Sequence, residues 1–395
     1  MSLARSGLLL LSSLLVIHTA QATPSFSDFD QRARKGERLS VVFFGGSLTW
    51  GAQATDPQLT SYRALTSRKL EETYPDAHFR FWDAAIGGTG SQLGAFRLER
   101  DVLSRKPDLV FLDFTINDNP YAEPDPERLA AYEAIVRRLV SAGIPVVQAI
   151  FAAKKDVLPN PPPRPLDDAH RAIAAAYGLP SGDAVALMRE RVRSGGTTAE
   201  TLWPMAPDAT HPGDEGYALY ADAVWSAFTR AVAETRTCRL PHRMIYSDTY
   251  LTTKRVRISA LGELPAGWAV NKPHRAASAY DFVMSRWLDD VTKAAGPEVA
   301  PLRLVVRGRN VLLFGEATPA SGRHEVRIDG SEPRSYDAGA SAKGGNLRYV
   351  EIIAEGLDPS KPHTIEIQPR LREAQELRIE SVCVAGESAN ATLVR

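Results

Sequence analysis

The chain contains 395 residues, and its 47 Lys plus Arg balance 47 Asp plus Glu to a formal net charge of zero. Without a basic excess it lacks the electrostatic pattern of a nucleic-acid-binding protein, and no nucleic-acid partner is expected. Its 44% hydrophobic and 24% charged residues are typical of a globular protein. The length exceeds what one hydrophobic core usually serves, which predicts two domains.

Residues 1–22 have the pattern of an export signal peptide. Arg5 precedes a short apolar run from Leu8 to Ile17, and Ala20-Gln21-Ala22 then matches the small-x-small cleavage pattern. The run is short for a membrane span, although a retained anchor is the alternative. We expect cleavage after Ala22, a secreted or periplasmic protein, and no stable membrane insertion after cleavage.

Residues 23–237 alternate strand and helix signals. Strands are predicted at residues 39–44, 78–84, 108–114 and 145–151. Helices are predicted at residues 61–74, 91–105, 127–142, 166–177, 183–192 and 214–234. Repeated strand–helix alternation is typical of a parallel sheet with helices on both faces, so this part is predicted to be an α/β domain.

Residues 238–395 change to short strands separated by turn signals. Strands are predicted at residues 302–306, 311–314, 324–328, 363–367 and 377–382, and Asp329-Gly330 is a hairpin turn signal. This pattern predicts a C-terminal antiparallel β-sandwich accessory domain. Residues 278–294 break the pattern and are predicted to form either a helix or a long insertion.

The chain has only two cysteines, Cys238 and Cys383, too few for a cysteine-rich scaffold. In an oxidising compartment they are candidates for one disulfide that would join the two halves of the chain. Two buried free thiols are the alternative, because two cysteines carry no spacing evidence.

Four short motifs carry residues suited to acyl-transfer chemistry. Ser47 follows the first strand within Gly45–Gly51, at the sheet edge where open α/β folds bind ligands. The glycine run Ile86–Gly90 and the Asn117 amide follow the next two strands and could donate hydrogen bonds to an oxyanion. In the sequence Asp208-Ala209-Thr210-His211, the aspartate could orient the histidine as a base. Each motif alone is also compatible with an ordinary turn.

In this order the four motifs resemble those of the SGNH hydrolases, also called GDSL-type esterases, over about residues 39–233. The resemblance implies a flavodoxin-like three-layer α/β sandwich. It also implies that Ser47 is the nucleophile and that Asp208 and His211 complete a triad. The oxyanion hole would combine the N–H of Ser47, the N–H of Gly88 and the amide of Asn117, with Gly87 as the alternative to Gly88.

Two positions depart from the family pattern: Gly46 stands where Asp is usual, and Thr115 where Gly is usual. Neither is a catalytic residue of the family, so the departures point to a variant subgroup with a Gly-Gly-Ser start.

The resemblance implies a serine esterase that works through an acyl-enzyme, with no metal or cofactor. The expected substrate is an acetylated glycan, a polysaccharide or oligosaccharide that loses its O-acetyl groups, or another small ester. One alternative is a lipase or lysophospholipase, for which Pro159–Pro165 is the visible candidate lid. The other is a non-catalytic glycan-binding protein. Four aromatic residues near the motifs could line a pocket, although core packing is the commoner role: Trp50, Tyr62, Phe151 and Trp203.

Overall fold

The computed structural model describes residues 23–275 and 287–394. The predicted signal peptide, residues 1–22, lies outside this range, as does most of the segment for which a helix or an insertion was predicted. Across the described residues, no helix combines the length and apolar character needed to cross a bilayer.

The N-terminal part is built on a parallel sheet. Its strands are β1 (Arg38–Gly45), β2 (His78–Ala85), β3 (Leu109–Asp113), β4 (Val146–Ile150) and β5 (Ser181–Asp183). Among the described residues they lie in the order β2-β1-β3-β4-β5, and every pairing is parallel. This is the flavodoxin-like doubly wound order, so the predicted α/β fold is confirmed.

Helices cover both faces of this sheet. They are α1 (Phe26–Arg34), α2 (Ser47–Trp50), α3 (Tyr62–Thr73), α4 (Ser91–Asp101), α5 (Pro126–Ser141), α6 (Pro165–Tyr177), α7 (Ala184–Arg193), α8 (Ala199–Leu202) and α9 (Asp214–Ala233). Helices α4, α5 and α6 pack side by side, and α9 packs with α1, α3 and α7. All five residues of β3 and of β4 are buried, which explains why both strands read as uninterrupted apolar runs.

The C-terminal part is a sandwich of two sheets with antiparallel strand pairing, as predicted. One sheet contains β6 (Thr253–Arg257), β7 (Trp268–Asn271), β8 (Val291–Ala295), β10 (Asn310–Ala317), β13 (Leu347–Ala354) and β15 (Glu376–Ala385). The other contains β9 (Leu302–Arg307), β11 (Arg323–Ile328), β12 (Arg334–Asp337), β14 (His363–Arg370) and β16 (Asn390–Leu393). Strand β8 occupies the end of the segment for which a helix or an insertion was predicted, so neither alternative holds there.

The sandwich packs directly against the α/β part. Leu312 and Phe314 of β10 belong to the same buried apolar cluster as the parallel sheet. Asn310, also on β10, donates through Nδ2 to a carboxylate oxygen of Glu127 on α5 at 2.6 Å. The intervening segment is held as well, because the Ile245 and Tyr246 N–H groups donate to the buried Glu133 carboxylate, each at 2.8 Å. One face of the sandwich therefore extends the core of the α/β part, while the sandwich also has a separate core of its own.

Both cysteines are buried free thiols, which corrects the predicted disulfide. Cys238 follows α9, and its N–H donates to the Pro24 carbonyl at 2.8 Å. Cys383 lies within β15, where its thiol contacts the Ser381 hydroxyl. Burial raises the pKa of Cys238 to about 11 and that of Cys383 to about 12. Each thiol is thus packed separately into the core and is unreactive in this state.

Candidate active site

Ser47 stands at a sharp turn between β1 and α2, at the carboxyl edge of the sheet. The turn depends on glycine, since a Cβ at Gly45 would lie 2.2 Å from the Thr49 hydroxyl and 2.5 Å from the Asp113 carbonyl oxygen. Gly51 ends the short helix at a φ of 99°, a left-handed conformation that favours glycine. The Ser47 side chain is held close to the packed core, with only 4% of the residue exposed.

Ser47, His211 and Asp208 form one hydrogen-bonded chain. Ser47 Oγ lies 2.8 Å from His211 Nε2, and His211 Nδ1 lies 2.7 Å from Asp208 Oδ2. The three residues come from opposite ends of the α/β part, since 164 positions separate the serine from the histidine. The structure thus brings the predicted residues together with the spacing of a nucleophile, a base and the carboxylate that orients the base.

The Asp208 carboxylate is held by its own loop. Its Oδ1 accepts the Thr210 N–H at 2.9 Å and the His211 N–H at 3.0 Å. Burial alone raises the pKa of Asp208, but these bonds and the bond from the His211 ring together hold it below its usual value. The carboxylate is therefore ionised at neutral pH, which keeps the proton of the histidine on Nδ1 and leaves Nε2 to face the serine.

Gln53 is a neighbour of this chain that sequence reasoning missed. Its Nε2 donates to Asp208 Oδ2 at 3.3 Å from a residue with a φ of 69°. Backbone in this left-handed region is uncommon for a residue other than glycine and is often found at functional sites. No local sequence pattern links Gln53 to a carboxylate 155 positions away.

Asn117 lies beside the turn that carries Ser47. A Cβ at Gly46 would come within 2.1 Å of Asn117 Oδ1, so only glycine leaves room for the amide there. The oxygen end of the amide faces Gly46, and the Asn117 NH2 has no hydrogen-bond partner within residues 23–275 and 287–394, so it is available to a substrate.

Gly88 lies in the loop that follows β2, at the carboxyl edge of the sheet that also carries Ser47. It is exposed at a φ of 67°, whereas Gly87 is buried. Its carbonyl accepts a hydrogen bond from Arg348 Nη2 at 3.0 Å, and Arg348 belongs to β13 of the sandwich. Gly88 and Asn117 both line the cleft described below, which Gly87 does not.

Asp118 connects the two loops that carry Gly88 and Asn117. Its carboxylate accepts the Ser91 N–H at 2.8 Å and also the Ser91 hydroxyl, at the start of α4. Arg128 donates to the Asp118 carbonyl at 3.0 Å, and His170 Nε2 lies 3.5 Å from Asp118 Oδ2 in the buried interior. The Asn-Asp pair is visible in the sequence, but only the fold shows that the aspartate ties the two loops together.

Arg97 of α4 supports the carboxyl ends of the neighbouring strands β1 and β2. It is fully buried and donates to the Ala84 carbonyl at 2.6 Å and to the Gly45 carbonyl at 2.8 Å. Burial lowers its pKa to about 10, so it remains charged at neutral pH. Arg97 therefore fixes the point at which β1 and β2 deliver the serine turn and the glycine turn.

Most of the aromatic pocket candidates are core residues. Tyr62 and Phe151 are buried with ring centroids 4.7 Å apart, and Trp203 is buried with its indole N–H donating to the Thr210 carbonyl. Trp50 is half-buried. In the described part of the chain, no three His, Cys, Asp or Glu side chains are grouped so that they could hold a metal ion.

An open cleft of about 530 Å³ begins at Gly88 and Asn117 and runs between the α/β part and the sandwich. Ser47 and His211 are not among its lining residues, so the hydrogen-bonded chain lies beside the head of the cleft. The lining mixes polar and apolar groups, and its polar side chains come from both parts: Gln92, Asn117, Asp118, Arg128, Asp337, Ser341, Arg348 and Glu351. These side chains can form hydrogen bonds with a hydroxyl-rich ligand.

The family comparison agrees with this geometry. Residues 43–219 match the model of the GDSL-like Lipase/Acylhydrolase family, a span that includes Ser47, Gly88, Asn117, Asp208 and His211. These residues form a GDSL-like hydrolase domain. The GDSL-like domain thus contains the whole set that the four sequence motifs predicted, while Arg348 and the far wall of the cleft lie outside it.

Solved structures similar to the whole chain also have two domains. A two-domain esterase (CEX) active on acetylated mannans, co-crystallised with mannopentaose, matches with a TM-score of 0.75 and 23% identity, over 92% of this chain and 95% of that chain. A second structure of a two-domain esterase (CEX) active on acetylated mannans gives 0.73 and 23% over the same shares. At this identity the likeness shows the fold. No curated protein matches the chain significantly.

Proposed function

We propose that this protein is a serine esterase that removes O-acetyl groups from a polysaccharide or oligosaccharide. The observation that carries the proposal is the continuous hydrogen-bonded chain from Ser47 Oγ through His211 to Asp208, at the head of a polar cleft. A family model for acylhydrolases over the same residues supports it.

In the proposed reaction, Ser47 Oγ attacks the ester carbonyl while its proton passes to His211 Nε2. The bond to the sugar oxygen then breaks, and His211 returns the proton to the departing hydroxyl, leaving acetyl-Ser47. Water then attacks the acetyl carbonyl while His211 Nε2 takes its proton. His211 returns that proton to Ser47 Oγ as acetate leaves, which restores the serine. Asp208 holds the ring and stabilises the imidazolium that forms twice in each cycle.

The oxyanion of each tetrahedral intermediate would be held by the N–H groups of Ser47 and Gly88 and by the Asn117 amide. The available Asn117 NH2 beside the serine turn supports this role. Preorganised donors of this kind act because they are already aimed at the position where charge develops.

The polar and charged side chains on both walls of the cleft support a glycan substrate. The cleft has ionic and hydroxyl side chains on both walls, and the fold neighbour is described as active on acetylated mannans. A lipase would need a mobile lid, but the end of the proline-rich loop is fixed by the buried residue Arg164. Its side chain donates to the Phe151 carbonyl at 2.8 Å and pairs with Asp156 and Asp167. A glycan-binding protein without catalysis would need neither a nucleophile nor an oriented base.

The test is acetate release from a panel of acetylated glycans, together with p-nitrophenyl esters of increasing chain length. We expect activity on acetate esters that declines with chain length, and loss of at least about 1,000-fold in kcat for Ser47→Ala. Ser226→Ala, an exposed serine on α9, is the matched control and should retain full activity. Wild-type hydrolysis by Ser47→Ala would overturn the mechanism, and a preference for long acyl chains would favour the lipase.

We also propose that the protein is exported, with residues 1–22 removed. The sequence pattern of Arg5, the apolar run and the Ala20-Gln21-Ala22 site supports this. Expression of the full chain in a bacterial host should give a processed protein outside the cytoplasm that begins at Thr23. An intact N-terminus in the cytoplasmic fraction would contradict the proposal.

A further inference from the structure

Arg348 reaches from the sandwich onto a backbone segment of the candidate active site. It lies on β13 at the edge of the six-stranded sheet, where it pairs in register with Glu316 of β10. Val350 and Ile352 of the same strand pack against the core of the α/β part, so the strand is anchored beside the cleft. From there the Arg348 Nη2 donates to the Gly88 carbonyl across 260 positions of sequence.

The contact is closely fitted. A Cβ at Gly88 would lie 1.9 Å from Arg348 Nη2 and 2.5 Å from Cζ, so the guanidinium occupies the space that any side chain at position 88 would need. The φ of 67° is what makes glycine the suitable residue here, because the guanidinium is the end of a flexible side chain that can move away from an added Cβ. The absence of a side chain at Gly88 thus leaves the space in which the guanidinium reaches the loop carbonyl.

We propose that Arg348 is a positioning residue for the oxyanion hole, which makes the sandwich part of the catalytic unit. This rests on the proposed function, in which the Gly88 N–H is an oxyanion donor. A charge-assisted hydrogen bond to the carbonyl of the same residue fixes the orientation of that loop before substrate arrives.

A small substrate separates positioning from glycan binding. p-Nitrophenyl acetate has no sugar to contact the cleft, so a loss of binding contacts alone would leave its hydrolysis unchanged. In the full-length protein we expect Arg348→Met to lower kcat for this substrate by about 10- to 100-fold, less than the roughly 100- to 1,000-fold typical for deleting a donor itself. The KM should stay within about threefold, because the ground-state carbonyl makes little use of the hole.

Two further variants distinguish a positioning role of Arg348 from a general effect of removing an arginine. Arg348→Ala should recover part of its lost kcat when methylguanidinium is added, because the small cation can occupy the vacated space beside Gly88. Arg303→Met removes an arginine from β9 that pairs with Glu366 at the surface, and it should match wild type. Thermal unfolding of all variants shows whether the fold is retained.

Equal kcat for wild type and Arg348→Met, with Ser47→Ala inactive, would overturn this inference and leave the proposed esterase intact. A loss in Arg348→Ala without any methylguanidinium rescue, in a protein that unfolds at a lower temperature than wild type, would also overturn it in favour of a purely structural contact. Inactivity of the wild type on every ester would instead overturn the proposed function itself.

Discussion

Replacing Asp113 with asparagine should stabilise the protein at neutral pH. Asp113 ends β3 beneath the serine turn, fully enclosed, with Oδ2 accepting the Thr49 hydroxyl at 3.1 Å. Burial, reinforced by the charge of Asp118, raises the pKa of Asp113 from 3.8 to about 7. The buried carboxyl therefore keeps its proton through a pH range in which the unfolded chain has lost it.

The effect of Asp113 on the free energy of unfolding follows from the difference between its pKa in the folded and unfolded states. Below pH 3.8 the carboxyl is protonated in both states and contributes nothing to the pH dependence. As pH rises towards 7, the unfolded state alone releases the proton, so the free energy of unfolding falls. At about 1.4 kcal/mol for each pKa unit, the total penalty is on the order of 4 kcal/mol, and it stays constant above the folded pKa.

Asparagine cannot ionise, yet its amide oxygen can still accept the Thr49 hydroxyl. We expect the stability of Asp113→Asn relative to wild type to rise by on the order of 4 kcal/mol between pH 4 and pH 8. Urea unfolding followed by tryptophan fluorescence at both pH values measures this. The exposed Glu332→Gln is the control for a general effect of removing a negative charge. The same difference between Asp113→Asn and wild type at pH 4 and pH 8 would refute the reasoning.

Three further variants test the loops around the nucleophile. Asn117→Ala should lower kcat by about 100-fold with little change in KM, measured on p-nitrophenyl acetate. Gly46→Ala should lower kcat similarly by displacing the Asn117 amide, and the double variant should be no worse than either single one, whereas additive losses would contradict this. Asp118→Ala leaves the Ser91 N–H unpaired, so denaturant unfolding should show a loss of about 2–3 kcal/mol, and unchanged stability would count against the tie between the loops.

The parts of the fold that the sequence predicted are those with strong local patterns. Strands β3 and β4 are buried along their whole length, and their apolar runs identified them directly. Strand β5 was missed because it has only three residues, Ser181–Asp183, and contains Gly182, which packs against Val224 of α9. Strand β13 was missed because the sequence of Leu347–Ala354 mixes charged and apolar residues without regular alternation, and consecutive residues of this edge strand line the cleft.

The residues of the candidate site also fall into those with a local sequence pattern and those without one. Ser47, Asn117 and His211 were predicted because each lies in a short motif after a strand or before a helix. Gln53 and Arg348 could not be predicted, because their partners are 155 and 260 positions away and nothing local marks the contact. The disulfide prediction was wrong for a related reason: residue type suggests which pairs are possible, but only packing decides which side chains meet.

The apolar junction between the two parts has a consequence for engineering. Leu312, Phe314 and Cys383 of the sandwich are enclosed by the same apolar cluster as the parallel sheet. Cutting the chain between α9 and β6 would expose this surface on both fragments, and contiguous apolar patches of that kind promote aggregation. A shortened enzyme would therefore need a redesigned polar surface along α4 and α5. Exchange of the sandwich for that of another esterase would require matched residues on both sides of the junction.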